Sequence, residues 1–153
     1  MQFVTSTATR VQANTSDEIN ARLRLESHAR VSEVAQRSAS SIDHRLQTLR
    51  TEFDVERAIE IEAPSMIATG IAAGTWLDKR FVAVSAFAAG MLLLHSTQGW
   101  YPLLPIFRRA GVRTTREIAD EAYALKRARG DFEGIEQGSP EQVAARAYAA
   151  SAW

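Results

Sequence analysis

The sequence predicts an all-α protein, a two-helix transmembrane hairpin flanked by cytoplasmic amphipathic helices. Two observations predict the hairpin and a third predicts its flanks. Between Ala63 and Phe107 the only charged residues are Asp78, Lys79 and Arg80, in a chain that is 24% charged overall. Small residues recur four apart on both arms, at Gly70 and Gly74 and at Ala86 and Gly90. On either side, apolar residues return every three or four positions among dense charge, the period of half-buried helices.

The bulk composition sets the frame. At 153 residues the chain is long enough for one ordinary domain. Lys+Arg and Asp+Glu number 18 each, so a globally basic nucleic-acid binder is not expected. Cys is absent, which removes disulfides, thiolate metal sites and thiol chemistry together. No apolar run of signal-peptide length precedes residue 20, so the hairpin is expected to act as its own targeting signal.

Residues 1–15 read as a polar tail with little to bury. The region 16–62 reads as amphipathic and helical. Ser16 is the expected N-cap of a helix to about Gln36, with Asp17 and Glu18 where the dipole favours acids. Residues 37–41 are a Ser-rich break, and Ser40 with Asp43 resembles a capping box. Ile42, Leu46, Leu49 and Phe53 then form a seam, which Val55, Ile59 and Ala63 continue on a rotated face. This seam is expected to pack on a partner helix, with an interfacial helix lying on the headgroups as the alternative.

The hairpin is assigned to 63–107, with spans at about 63–77 and 81–101. Pro64 suits a first helical turn or kinks a continuous helix. In lipid, close backbone approach at small residues holds spans together, so Gly70 and Gly74 are expected to face Ala86 and Gly90. A helix over 63–77 is roughly 22 Å long, short of a hydrocarbon core of roughly 30 Å. The first span must therefore thin the bilayer or let Glu62 reach outward; the alternatives are a re-entrant or monotopic hairpin and a buried helical pair in a soluble bundle. Lys and Arg concentrate outside the turn, which puts both termini in the cytoplasm. Trp76 is expected at the outer interface, Trp100 and Tyr101 at the inner one, and Arg108 and Arg109 on lipid phosphates.

Beyond the hairpin, 108–132 holds a helix opened by a Thr114–Glu117 capping box and stopped by Gly130. Residues 133–153 are read as a linker, marked by Gly134 and Gly138, and a short tail helix from Ser139 and Pro140 to Trp153.

The run Gly99, Trp100, Tyr101, Pro102, Leu103, Leu104, Pro105, Ile106, Phe107, Arg108, Arg109, Ala110, Gly111, Val112, Arg113, Thr114 resembles the YgaP-like inner-membrane family of bacteria. In that family a Gly-x-Cys-Pro-like element closes the second of two spans and a Leu-Gly-x-x-Thr-like element follows. A charged helix before the hairpin and a stretch like Glu121, Ala124, Leu125, Lys126, Arg129, Gly130, Asp131, Phe132 extend the likeness over about 41–132. The resemblance implies a bacterial inner-membrane, multi-pass protein. The family's usual Cys corresponds to Tyr101, and some relatives carry a rhodanese sulfurtransferase domain that this chain does not have.

The chain is read as non-enzymatic, with no cofactor and no catalytic or metal-binding residues. His95 is the one ionisable side chain in the spans. Its structural role as an interfacial His is weighed against a ligand or proton role. The resulting expectation is a membrane-anchored scaffold or accessory subunit, held in the lipid bilayer and binding a protein partner or its own copies through cytoplasmic helices. The alternatives are a small transport or channel subunit made of several hairpins and an accessory to sulfurtransfer.

Overall fold

The computed structural model describes Ser6 and residues 8–152. Residues 1–5 and 7 of the expected tail, and the expected tail-helix end at Trp153, lie outside the described residues. The chain is all-helical there. In order come α1 (Arg10–Ala13), α2 (Asp17–Arg37), α3 (Ala39–Arg50), α4 (Val55–Trp76), a single 3-10 turn (Lys79–Phe81), α5 (Val82–Gln98), α6 (Leu104–Arg109), α7 (Thr115–Arg129) and α8 (Pro140–Ser151). Two compact units form. One joins Met1–Arg22 with Phe53–Thr115, the other Leu23–Glu52 with Arg116–Trp153.

The first unit contains the hairpin, and its first arm begins earlier than the sequence suggested. The seam helix does not run on from Ile42 to Ala63. It stops at Arg50, and a new helix starts at Val55. Asp54 is the reason: its Oδ1 accepts the Arg57 N–H at 2.7 Å, capping a donor that the helix leaves open. The start is also fixed from outside, because the Val55 N–H donates to Arg113 O at 2.9 Å and Thr115 Oγ1 donates to Asp54 Oδ2 at 3.0 Å. Pro64 lies inside α4 and does not open it. The 22 residues of α4 make a helix of roughly 33 Å, so the arm is not short, though its first half carries Glu56, Arg57, Glu60 and Glu62. The second arm ends at Gln98, three residues before the expected Tyr101. At the tip, Asp78 is a cap and not merely a soluble charge, its Oδ1 accepting the Arg80 N–H at 2.8 Å.

The two arms touch through glycines, in a register that differs from the expected one. A Cβ built on Gly70 would lie 2.4 Å from Ser85 Oγ and 2.9 Å from Ser85 N. One on Gly74 would lie 2.6 Å from Val82 Cγ2. The facing residues are thus Ser85 and Val82. Ala86 is exposed, and a Cβ on Gly90 would meet nothing within 4 Å. Ser85 is the better partner because its hydroxyl donates to Ile67 O at 2.8 Å, which a methyl could not do.

The second unit buries the seam inside the chain. Ile42, Leu46 and Leu49 of α3 pack with Ile118, Ala122 and Leu125 of α7, flanked by Val31 and Val34 of α2. The surface expected to receive a partner helix is therefore already covered by α7, and Phe53 falls outside it, exposed. The α3 cap is Ser38, two residues before the expected Ser40; its Oγ accepts the Ser41 N–H at 3.2 Å. Against this core lies one fully buried carboxylate, Glu121. It accepts from Ser27 Oγ at 2.9 Å, Arg30 Nε at 3.3 Å and Arg45 Nε at 2.8 Å. Farther along, Lys126 Nζ donates to Ala150 O at 3.1 Å and to Ala152 O, capping the last carbonyls of α8. Burial pulls the Lys126 ammonium below its ordinary range, whereas the hydrogen bond from Arg129 holds the Asp131 carboxyl below its own. The capping box of α8 joins Ser139 and Gln142.

Three outcomes follow for the melting temperature of the purified full chain in mild detergent. Gly70→Ala should destabilise by about 1–3 kcal/mol, since the added methyl meets backbone as well as a hydroxyl. Gly90→Ala should be neutral or gain up to about 1 kcal/mol, since its space is open and glycine is costly in a helix. Glu121→Gln should cost about 3 kcal/mol, the low end for a broken buried ion pair, because Arg30 and Arg45 keep partial contact with water.

Candidate functional site

The polar groups that the apolar arms cannot dissolve gather where α5 ends. Gly99 adopts φ 76° and terminates the helix, a backbone form that suits glycine. A side chain there would also collide with α1: a Cβ on Gly99 would stand 2.6 Å from Arg10 Cβ and 2.7 Å from Arg10 C. This closeness lets α1 cap α5. Arg10 Nη1 donates to Ser96 O at 3.1 Å and Asn14 Nδ2 to Gln98 O at 2.9 Å. Both are last-turn carbonyls at the negative end of the helix dipole, where donors and a cation are favoured. Val11 of α1 joins Val55, Ile59, Ala63, Tyr101 and Leu104 in one apolar core.

Tyr101 is built into that core at 3% exposure. Its hydroxyl donates to Glu62 Oε2. The expected inner-interface anchor is thus a buried hydrogen-bond donor, and Glu62 has a partner across the hairpin instead of reaching outward. His95 stands beside this pair with its ring edge-on to Tyr101, centroids 5.9 Å apart and planes at 78°. The His95 residue is 5% exposed, and its Nδ1 is buried with no hydrogen-bond partner.

The two arginines expected on lipid phosphates separate. Arg108 is fully buried. It donates to Asn20 Oδ1 and to Val112 O, each at 3.1 Å, so its guanidinium is spent inside the protein. Arg109 is exposed. The tryptophans are exposed too, Trp76 at 81% and Trp100 less so. Short α6 carries exposed Ile106.

Sequence reasoning missed Arg10, Val11 and Asn14. Four residues of helix in a Thr- and Gln-rich stretch show no periodicity to read. It also set Glu62 and Tyr101 on opposite errands. Their pairing depends on α4 starting eight residues earlier than Ala63. Chemically, the cluster offers a carboxylate holding a phenol, a cation on helix carbonyls and an imidazole with an open nitrogen. Among the described residues no group of three His, Cys, Asp or Glu side chains could hold a metal ion.

Comparison with protein-family models, with curated proteins and with solved structures gave no match for this chain.

Tyr101→Phe removes the donor to Glu62 while keeping the ring. It should lower stability by about 1–3 kcal/mol, the cost of leaving a half-buried carboxylate without its partner. Thermal melts of Tyr101→Phe, Glu62→Gln and the double variant measure it. Coupling between the two sites is the expected result.

Proposed function

We propose that the chain is an integral membrane protein whose hairpin anchors a helical module, acting as a scaffold or accessory subunit. The observation that carries this reading is α5 with its preceding turn. Lys79–Gln98 has a mean hydropathy of 1.4, and only 17% of that stretch is covered by the rest of the protein. Phe81, Val82, Val84, Phe87 and Leu93 are exposed along it, as are Ile71 and Trp76 on α4 and Leu77 just past its end. A contiguous apolar surface of this kind suits lipid tails, and monomers in water seldom show one.

The finer reading puts α4 across the bilayer as a second span, with both termini cytoplasmic, in a bacterial inner membrane as the YgaP-like resemblance suggests. Support for α4 comes from its length, and from Tyr101, whose hydroxyl relieves Glu62 of an unpaired charge at the edge of the apolar zone. Exposed Trp100, Ile106 and Arg109 then suit the headgroup layer, with Arg109 on phosphate. Because α7 occupies the α3 seam, a partner or a second copy would use other faces of the helical module. The acids at 56, 60 and 62 favour one other reading, a re-entrant hairpin whose turn does not reach the far side.

The absence of Cys makes the test direct. The chain is expected in the membrane pellet after alkaline carbonate washing. A single Cys at Lys79 should react with an impermeant maleimide from the periplasmic side of intact cells. Labelling only after the inner membrane is opened would select the re-entrant form. Folded protein in a detergent-free supernatant would overturn the anchoring itself.

A further inference from the structure

We propose that His95 is a proton-operated joint at the base of the hairpin, and that protonating it undocks α1 from the end of α5. The side chains involved all lie within one compact unit, and their contacts do not depend on the solvent around α5. A neutral imidazole can bury one nitrogen as a bare lone pair at modest cost. An imidazolium carries N–H on both nitrogens and needs an acceptor for each. Nδ1 has none. The charged and titratable groups around the ring are Arg10 from α1 and Glu56 from α4, together with Tyr101 and the Glu62 that Tyr101 already engages.

A proton on His95 would therefore place a second cation near Arg10, whose own Nε is buried without a partner. Arg10 is also one of the two side chains that hold α1 on the α5 carbonyls. Two carboxylates of α4 lie on that side, Glu56 and Glu62; Glu56 already accepts from the Thr115 N–H and hydroxyl, so the new N–H turns to Glu62, and taking it releases the Tyr101 hydroxyl. Both changes loosen the same contact. Repulsion pushes Arg10 from Ser96 O, and the shift of Tyr101 disturbs the core that seats Val11.

A nitroxide on Cys introduced at Ala13, an exposed position of α1, reads docking by electron paramagnetic resonance in the full chain. The label should be immobilised at about pH 7.5 and mobile at about pH 5, within the range where histidine changes charge. In His95→Gln it should stay immobilised at both. In Glu62→Gln, where the imidazolium loses its carboxylate, the transition should move down by about half a pH unit or more. Equal mobility at both pH values in the otherwise unchanged chain would overturn the proposal, as would a transition that persists in His95→Gln. Should His95→Gln lose its helical circular dichroism, Glu62→Gln decides alone, and an unmoved midpoint there would overturn it.

Discussion

The hairpin depends on one approach distance, that of the α4 backbone at Gly70 to the α5 backbone at Ser85. With no side chain on Gly70, Ser85 comes close enough for its hydroxyl to reach Ile67 O at 2.8 Å. That hydrogen bond and the contact of Gly74 with Val82 set the register of the two arms. Register then decides which residues meet at the far end, where Tyr101, just past α5, finds Glu62. A shift of one turn would move that pairing by about 5.4 Å and leave a carboxylate in an apolar wall. The small residues near the tip and the polar pair at the base are thus two ends of the same constraint.

The base of the hairpin shows how a helix end is satisfied without solvent. Four carbonyls at any helix C-terminus lack intrahelical donors. Here α1 and its cap supply donors to two of them, Arg10 to Ser96 O and Asn14 to Gln98 O, and Gly99 keeps the space clear. Arg108 does related work in the same unit, tying Asn20 to Val112 O, while Asn20 itself donates to Gln12 O at 3.0 Å. Residues that carry charge in the sequence are therefore consumed as structural donors, which explains why an arginine pair that reads as a headgroup anchor divides into one buried and one exposed member.

What the sequence disclosed and what it hid follow from range. The nearly uncharged segment, the small residues on both arms, the terminator Gly130 and the cap at Ser139 depend on neighbours within a few positions, and all could be read locally. The partner of each small patch could not. Facing residues depend on the turn geometry at Asp78, which shifts α5 against α4 so that Ser85, and not Ala86, meets Gly70. The break between α3 and α4 was hidden because Ile42 to Ala63 keeps an apolar period across it. Only the preference of Asp54 for a cap, read against that period, could have placed it. The tie of Asp54 to Thr115 is a contact 61 residues apart, beyond any local pattern.

The two units solve opposite packing problems with one alphabet. In the second, large apolar groups lie inside and charge outside, with Glu121 and Lys126 the exceptions among the described residues. A buried carboxylate between two arginines adds little stability over a hydrophobic substitute, because both partners lose water. What it adds is discrimination. Ile42, Leu46 and Leu49 could slide along the α7 stripe with small loss, but Glu121 is satisfied in one arrangement, where Arg45, Arg30 and Ser27 all reach it. In the first unit the base of the hairpin keeps an apolar core, but toward the tip the ordering reverses: glycine and serine line the contact between α4 and α5, and Phe87, Leu93 and Trp76 face outward. Water rewards the first pattern and works against the second. A chain that carries both is most economically explained by two solvents, and the proposed hairpin anchor rests on that inversion more firmly than on hydropathy alone.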